Sequence, residues 1–109
     1  MSPKLPDISH LQYLALGVLL SGELPGRALR AAVARFGVRR TSAAFYQFMS
    51  RLERDGLVEG WYEQVQAGDQ MVTERRYRIT AAGRKAWTET HAFFEAVKGM
   101  ASRPRSLNA

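Results

Sequence analysis

The hydrophobic pattern of this 109-residue chain changes its period at Gly56, and that change constrains the fold more than any other feature. Before Gly56, apolar residues recur at the spacing of three and four residues that is typical of amphipathic helices. From Leu57 to Ile79, two runs alternate and are rich in aromatic and β-branched residues, which favours strands. Helical spacing returns at Ala81. The sequence therefore predicts a mainly α protein with a small β-hairpin, of the α+β class.

Capping residues and glycines set the predicted bounds of these elements. Asp7 or Ser9 begins the first helix, and Thr80 begins the last. Gly22, Gly37 and Gly56 end the first three helices. The predicted elements are helices over residues 8–21, 27–36 and 42–55, strands over 57–66 and 71–79, and a last helix from 81 to about 99.

Apolar stripes predict which helix faces enter the core. The second and third helices each carry one stripe, formed by Leu29, Ala32, Val33 and Phe36, and by Phe45, Phe48, Met49 and Leu52. The first helix is apolar on two sides, with Tyr13, Leu16 and Leu20 opposite a stripe of Leu11, Leu14, Ala15 and Val18. The last helix has a wide apolar arc formed by Ala82, Ala86, Trp87, Phe93, Phe94, Val97 and Met100. A small core cannot cover both of these helices completely.

The composition excludes several kinds of site and favours one kind of partner. The chain has no cysteine, which excludes disulfides, thiolate metal sites and cysteine nucleophiles. No apolar run approaches a membrane span and no secretory signal is visible, so we expect a cytoplasmic protein without membrane contact. Thirteen Arg and three Lys face ten acidic residues, for a net charge of +6. This excess of arginine suits phosphate and guanine, although a solvated basic surface would also explain it.

One domain is expected, because a second core would have too few residues. We divide the chain into an N-terminal tail over 1–7, a main domain over 8–79, a last helix over 80–100 and a basic tail over 101–109.

Three helices followed by a hairpin is the element order of a winged helix-turn-helix, in which the third helix enters the major groove of DNA and the hairpin is the wing. In this reading Gln47 reads a base edge, Tyr46 contacts a phosphate or a thymine methyl group, and Ala43 permits close approach. The predicted DNA-binding residues are Arg39, Arg40, Thr41, Ser42, Ala43, Tyr46, Gln47, Arg51 and Arg54, with Arg75 and Arg76 on the wing, where Gln66 and Gln70 can also meet DNA.

Several of these residues have a structural alternative. Tyr46 can be a core residue whose hydroxyl reaches water, and Arg51 and Arg54 can form only surface ion pairs with neighbouring acids. The wing, residues 57–79, has three Arg against four acidic residues, which weakens the case that it binds DNA.

Three segments resemble one known family, the PadR-like transcriptional regulators. Leu11–Gly22 resembles the opening helix of that family, Phe45–Val58 its recognition helix, and Arg75–Arg84 its second wing strand and the start of its last helix. The chain departs from the family at Pro25-Gly26-Arg27, where the family usually has His-Gly-Tyr. The family usually has Ser or Thr where this chain has Ala44, and Pro where it has Gln47. These departures leave the operator sequence open.

The resemblance implies a homodimer that binds an inverted-repeat operator in double-stranded DNA and acts as a repressor. It assigns dimerisation to the last helix, and the resulting interface residues are Tyr13, Leu16, Leu20, Trp87, Phe93, Phe94 and Val97. Some family members bind flat aromatic ligands between protomers. A small aromatic effector is therefore one interpretation of Trp87 and Phe94, and dimer packing alone is the other.

Other function classes have less support. His10 and His91 stand without a neighbouring acid or nucleophile at a suggestive spacing, so we expect neither catalysis nor a bound metal or cofactor. The main rival is a winged helix that binds another protein and no DNA, a role that the acidic residues of the wing would suit.

Overall fold

Hydroxyl side chains begin three of the four helices that residues 3–102 form. Ser9 forms a capping box with Gln12, in which the Ser9 hydroxyl accepts from the Gln12 amide at 3.1 Å and the Gln12 side chain accepts from the Ser9 amide at 2.9 Å. The Thr41 hydroxyl accepts from the Ala44 amide at 3.1 Å. The Thr80 hydroxyl accepts from the Gly83 amide and donates to the Gly56 carbonyl. Of the two predicted first caps, Ser9 is therefore the correct one.

The computed structural model describes residues 3–102 and places the elements in the predicted order. The elements are α1 (His10–Val18, continued by a 3-10 turn, Leu19–Ser21), β1 (Leu24–Pro25), α2 (Gly26–Ala34), α3 (Ser42–Arg54), β2 (Val58–Ala67), β3 (Gln70–Ile79) and α4 (Ala81–Ala101). The part of the predicted basic tail that follows Ser102 lies outside the described residues.

The sheet has one strand more than the sequence predicted. Its order is β1-β3-β2, and Leu24 and Pro25 of β1 pair antiparallel with Tyr77 and Arg76 of β3. The sequence predicted no strand between residues 21 and 27, because two residues are too few to show an alternating pattern. The root of the hairpin is thus a three-stranded sheet, whereas its distal half remains a two-stranded ribbon.

The core confirms the stripe predicted for α3, since Phe45, Phe48, Met49 and Leu52 are all buried. One core prediction, Phe36, is wrong, and the assignment of Leu16 to the dimer interface does not fit its burial. Phe36 is 69% exposed, because α2 ends at Ala34, before the chain reaches it. Leu16 is fully buried in the protomer's own core, so it has no surface to contribute to a dimer interface.

Helix α4 packs against α1 through aromatic rings. The Trp87 ring lies between Tyr13, at a centroid distance of 5.5 Å, and His91, at 4.9 Å, and both neighbours are nearly parallel to it. Gly17 makes this packing possible, because a Cβ atom there would lie 3.0 Å from Trp87 Nε1. Farther along α4, Val97 and Met100 are exposed. Within residues 3–102, no helix combines the length and apolarity needed to cross a bilayer.

Candidate nucleic-acid interface

Helix α3 presents one polar face to solvent while its opposite face is anchored in the core. Ala43, Gln47 and Ser50 lie on the exposed face, and Arg51 and Arg54 continue it toward the C-terminal end of the helix. These residues follow the helical repeat of three and four positions, so they form a continuous strip. A helix held in this way offers its outer strip to a groove without rearrangement of the core.

Arg30 of α2 fixes the segment that leads into α3. Its Nε donates to the Arg40 carbonyl at 2.9 Å, and its Nη1 donates to the Ser42 hydroxyl at 3.0 Å. The sequence did not predict this role of Arg30, because its partners lie 10 and 12 residues away. Ser42 and Thr41 are exposed, and their hydroxyls already accept one hydrogen bond each within the protein.

Arg39 and Arg40 extend into solvent next to the start of α3. The Arg40 guanidinium lies 5.9 Å from the centroid of the Phe48 ring, over its face. In the part of the chain that the structure describes, neither residue forms an ion pair, and Arg51 forms none either. Arg54 has only Asp55, at 3.6 Å. The positive charge around α3 is therefore largely uncompensated.

Tyr46 packs within the protein in the way that the structural alternative predicted. It is half-buried, lies edge-on to Phe45 and stacks near Tyr77. A Cβ atom on Gly26 would lie 2.7 Å from the Tyr46 hydroxyl, so this glycine lets α2 begin against the tyrosine. Tyr46 thus connects α2, α3 and the sheet.

The wing has two chemically different faces. Neighbouring strand residues point to opposite sides, so the pairing register sorts their side chains. The inner face is the one toward α3. Within residues 58–79, all of which the structure describes, Arg75 is the one charged residue on this face. The part of the inner face nearer the hairpin turn consists of Tyr62, Gln64, Gln66, Met71 and Thr73. The outer face contains Glu59, Glu63 and Glu74. These three glutamates, which weaken the case that the wing binds DNA, therefore lie on the side away from α3.

Arg75 lies on the inner face, but its charge is compensated. Its Nη2 donates to Glu53 Oε1 of α3 at 2.5 Å, and its guanidinium lies 4.6 Å from the centroid of the Tyr62 ring. Burial alone would lower the pKa of Arg75, but hydrogen bonds to Glu53 and Tyr77 raise it overall. Arg75 forms part of an open groove of about 400 Å³ between α3 and the wing. The Glu53–Arg75 pair, which the sequence analysis did not predict, attaches the wing to α3.

Arg76, which the sequence predicted as a DNA contact, lies on the face of the wing that points away from α3. Arg76 points to the outer face, where its guanidinium lies 2.7 Å from Glu74, 3.3 Å from Glu63 and 3.7 Å from Glu23. Its side chain is only 18% exposed. Three carboxylates surround this shielded guanidinium and hold it in place, so little of the Arg76 side chain is accessible to a phosphate.

The two wing glutamines that the sequence analysis named lie on opposite faces. Gln66 lies on the inner face, where its amide donates to the Gly68 carbonyl at 2.8 Å and so supports the turn. Gln70 lies on the outer face. Only Gln66 and Arg75 of the four named wing residues therefore share a side with α3.

The residues predicted for dimerisation divide into a packed set and an exposed set. Tyr13 and Trp87 stack inside the protomer, and the Tyr13 hydroxyl lies 3.1 Å from His91 Nδ1. Burial, with a smaller contribution from Glu95, raises the pKa of Tyr13. Leu20, Phe93 and Phe94 are half-buried, and Val97 is 45% exposed. Among residues 3–102, no three His, Asp or Glu side chains converge as metal ligands would.

Solved structures of PadR-family regulators share this architecture. A PadR family transcription regulator from Clostridium difficile R20291 aligns over 84% of this chain and 94% of its own, with 15% identity and a TM-score of 0.71. A PadR family transcriptional regulator from Eggerthella lenta aligns over 86% of this chain and 83% of its own, with 26% identity and a TM-score of 0.59. Bacillus subtilis PadR, solved in complex with operator DNA, aligns over 91% of this chain and 51% of its own, with 19% identity and a TM-score of 0.56. The chain matches no family model and no curated protein.

Proposed function

We propose that this chain, which has the winged-helix fold of PadR-family transcription regulators, binds double-stranded DNA as a homodimer and regulates transcription, with repression at an inverted repeat as the expected outcome. The observation that carries the proposal is the outer strip of α3, which is exposed and uncharged at Ala43, Gln47 and Ser50. Its flanking residues Arg39, Arg40 and Arg51 have no carboxylate partner in the described chain. A strip of this kind suits base edges, and its flanks suit phosphates.

The N-terminal half of α3 is assigned to the major groove. Ala43 lets the helix approach closely, and the Gln47 amide can donate and accept at a base edge. Thr41 and Ser42, at the start of the helix, bring hydroxyl groups and the positive end of the helix dipole to a backbone phosphate. Arg39, Arg40 and Arg51 supply the charge that attracts the duplex without reading its sequence.

The wing is assigned a contact of a different kind. Its inner face carries amides and hydroxyls instead of free cations, so it can follow a groove wall or the sugar edge through neutral hydrogen bonds. Such a contact contributes affinity but releases no counterions. Binding by the wing should therefore depend little on salt, in contrast to binding by the arginines around α3.

The proposed homodimer uses the exposed end of α4. Val97 and Met100 are the exposed apolar residues there, and Phe93 and Phe94 lie beside them at the edge of an open groove of about 400 Å³. This groove, lined by Phe93 and Phe94, is assigned to a small aromatic effector. Sedimentation at micromolar concentration tests the dimer: we expect twice the chain mass, whereas a 12.2 kDa monomer would contradict it.

Selection of bound duplexes from a random DNA pool tests the function most broadly. We expect an enriched inverted repeat, and a dimer that neutralises roughly 6–10 phosphates should lose affinity with salt at a log–log slope of about −0.9 per contact. No enrichment, or binding that is insensitive to salt, would instead favour the rival, a winged helix that binds protein.

Two matched variants test the roles within the interface. Gln47→Ala should relax sequence preference at one position per half-site by about 1–3 kcal/mol, since it removes a base contact. Arg40→Ala should weaken all duplexes alike and reduce the salt slope by about 1. Anisotropy titrations on the selected and a scrambled duplex separate the two effects, and identical behaviour of the two variants would contradict the assignment.

A further inference from the structure

Four arginines line one open groove on the side of α2 that faces the loop before α3. The groove has a volume of about 230 Å³. Its lining consists of Arg27, Arg30, Ala31, Ala34, Val38, Arg39 and Arg40. Arg39 and Arg40 are among the DNA-binding residues predicted from the sequence, whereas Arg27 and Arg30 had no predicted role in binding.

The charge of this groove is not balanced from within. No carboxylate is among its lining residues, and Arg27 has a single ion pair in the described chain, with Glu74 at 3.4 Å, while its side chain is 77% exposed. Arg30 is held by the Arg40 carbonyl and the Ser42 hydroxyl, which leaves further N–H groups of its guanidinium available. Like charges brought together in this way repel one another, so the groove favours an anionic ligand.

The shape of the groove indicates what kind of anion it takes. Apart from the arginines, it is lined by small apolar side chains, Ala31, Ala34 and Val38, which leave room for a ligand to approach the guanidinium groups. It is open to solvent, and Arg30 links it directly to Ser42 at the start of α3. A planar guanidinium binds phosphate oxygens in pairs. An open channel suits a strand that continues past it better than it suits an enclosed small molecule.

We propose that this groove binds consecutive backbone phosphates of the DNA strand that flanks the bases facing α3. The inference rests on the proposed function and extends it by a second contact surface, formed by α2 and residues 38–40. In this arrangement Arg27 and Arg39 contact phosphates, and Arg30 both holds the loop and completes the groove. The contact fixes the register of α3 in the major groove and does not itself read sequence.

The test is the double variant Arg27→Gln with Arg39→Gln, which leaves Arg30 and its hydrogen bonds intact. Binding of a selected and a scrambled duplex is measured by anisotropy at salt concentrations between about 50 and 200 mM. Over this range the loss of about two phosphate contacts changes the salt slope measurably. We expect the salt slope to become shallower by about 1.8 per protomer and the affinity to fall roughly tenfold or more, equally for both duplexes.

Two controls separate this effect from net charge and from misfolding. Lys85→Gln with Lys98→Gln removes the same charge from α4 and should leave the slope nearly unchanged. Arg27→Lys with Arg39→Lys keeps the charge and should keep the slope, while losing some affinity because lysine binds phosphate less specifically. Thermal melting by circular dichroism shows whether each variant is folded.

The outcomes are distinguishable. If wild type binds DNA and the Arg27/Arg39 variant binds with the same slope and affinity, the groove proposal is overturned and the proposed function stands. If wild type binds no DNA, both fall. Titration with pyrophosphate at constant ionic strength covers the other source of phosphate: tight binding that depends on Arg27 and Arg39 but leaves DNA affinity unaffected would show that the groove takes a free phosphate ligand, and would also overturn the proposal.

Discussion

The arginines around α3 and the arginines of the wing are the same residue type in opposite electrostatic settings. In the described chain Arg39 and Arg40 have no carboxylate partner, whereas Arg75, Arg76 and Arg78 each have at least one. The first group is exposed and the second is held in place. A guanidinium without a carboxylate neighbour is available to bind phosphate, whereas one that is paired with carboxylates stabilises the fold.

The pairing register of the hairpin explains this difference. It places Glu59 opposite Arg78, and it gathers Glu63 and Glu74 around Arg76 on the outer face. Around the start of α3 no such opposition occurs, because the loop before it carries two arginines in succession and no acid. The total charge of a segment is thus less informative than the face on which each charge lies.

The largest effect that sharpens this comparison is expected for Arg76→Gln. Its loss leaves the largely shielded Glu74 without its closest partner, so the free energy of unfolding should fall by about 2 kcal/mol. DNA affinity and its salt slope should change only slightly, because Arg76 faces away from α3 and is linked to the arginine groove only through Glu74, which it shares with Arg27. Urea unfolding and anisotropy measure the two properties. The matched control is Arg78→Gln, whose ion pair is more than half exposed and should be worth no more than about 0.5 kcal/mol.

A smaller effect is expected for Glu53→Gln, which releases Arg75 from its ion pair. The free energy of unfolding should fall by about 1 kcal/mol, since both partners are partly shielded from water. The salt slope of DNA binding should become steeper by about 0.9 per protomer, because the freed guanidinium joins the phosphate contacts. An unchanged slope would show that the inner face of the wing does not approach DNA.

The smallest effect concerns the root of the wing at alkaline pH. Burial, together with Glu53 and Tyr46, raises the pKa of Tyr77 above its ordinary value of 10.0, although Arg75 partly opposes the shift. The folded state therefore holds this proton more tightly than the unfolded chain does. The stabilisation is complete below about pH 10 and is lost as the pH rises through the folded-state pKa.

Tyr77→Phe should flatten this alkaline loss of stability, measured by urea unfolding at intervals from about pH 8 to pH 11. Tyr13→Phe is the comparison variant, because the pKa of Tyr13 is also raised, mainly by burial, at the packing of α1 on α4. If the free energy of unfolding of both variants falls with pH as steeply as that of wild type, neither tyrosine causes the alkaline loss of stability.

The sequence predicted the fold where the apolar pattern is long and regular. Helix α3 begins at Ser42 as predicted, and both long strands match to within a residue or so, because thirteen or ten residues suffice to show a period. β1 was missed, since only its pairing with Tyr77 and Arg76 makes it a strand. Phe36 was placed in the core because its spacing fits the stripe, but α2 ends before it.

The site was less predictable than the fold, because side-chain partners distant in sequence determine it. Exposure of Gln47 and Arg51 follows from the helical repeat. The pairing of Glu53 with Arg75, 22 residues away, does not follow from any local pattern. Arg76 was assigned to DNA because the face on which it lies depends on the register, and Leu16 was assigned to the dimer although α1 is covered on that side within the protomer.

Backbone amide shifts during titration with the selected duplex test the central claim most directly, because they report which surface meets DNA. The account predicts that the largest shifts fall on residues 39–51 and on inner-face residues of the wing such as Gln64 and Thr73. The outer face around Glu59 and Glu63 should remain nearly unaffected. Shifts concentrated on that outer face or on α4, with α3 unchanged, would contradict the account.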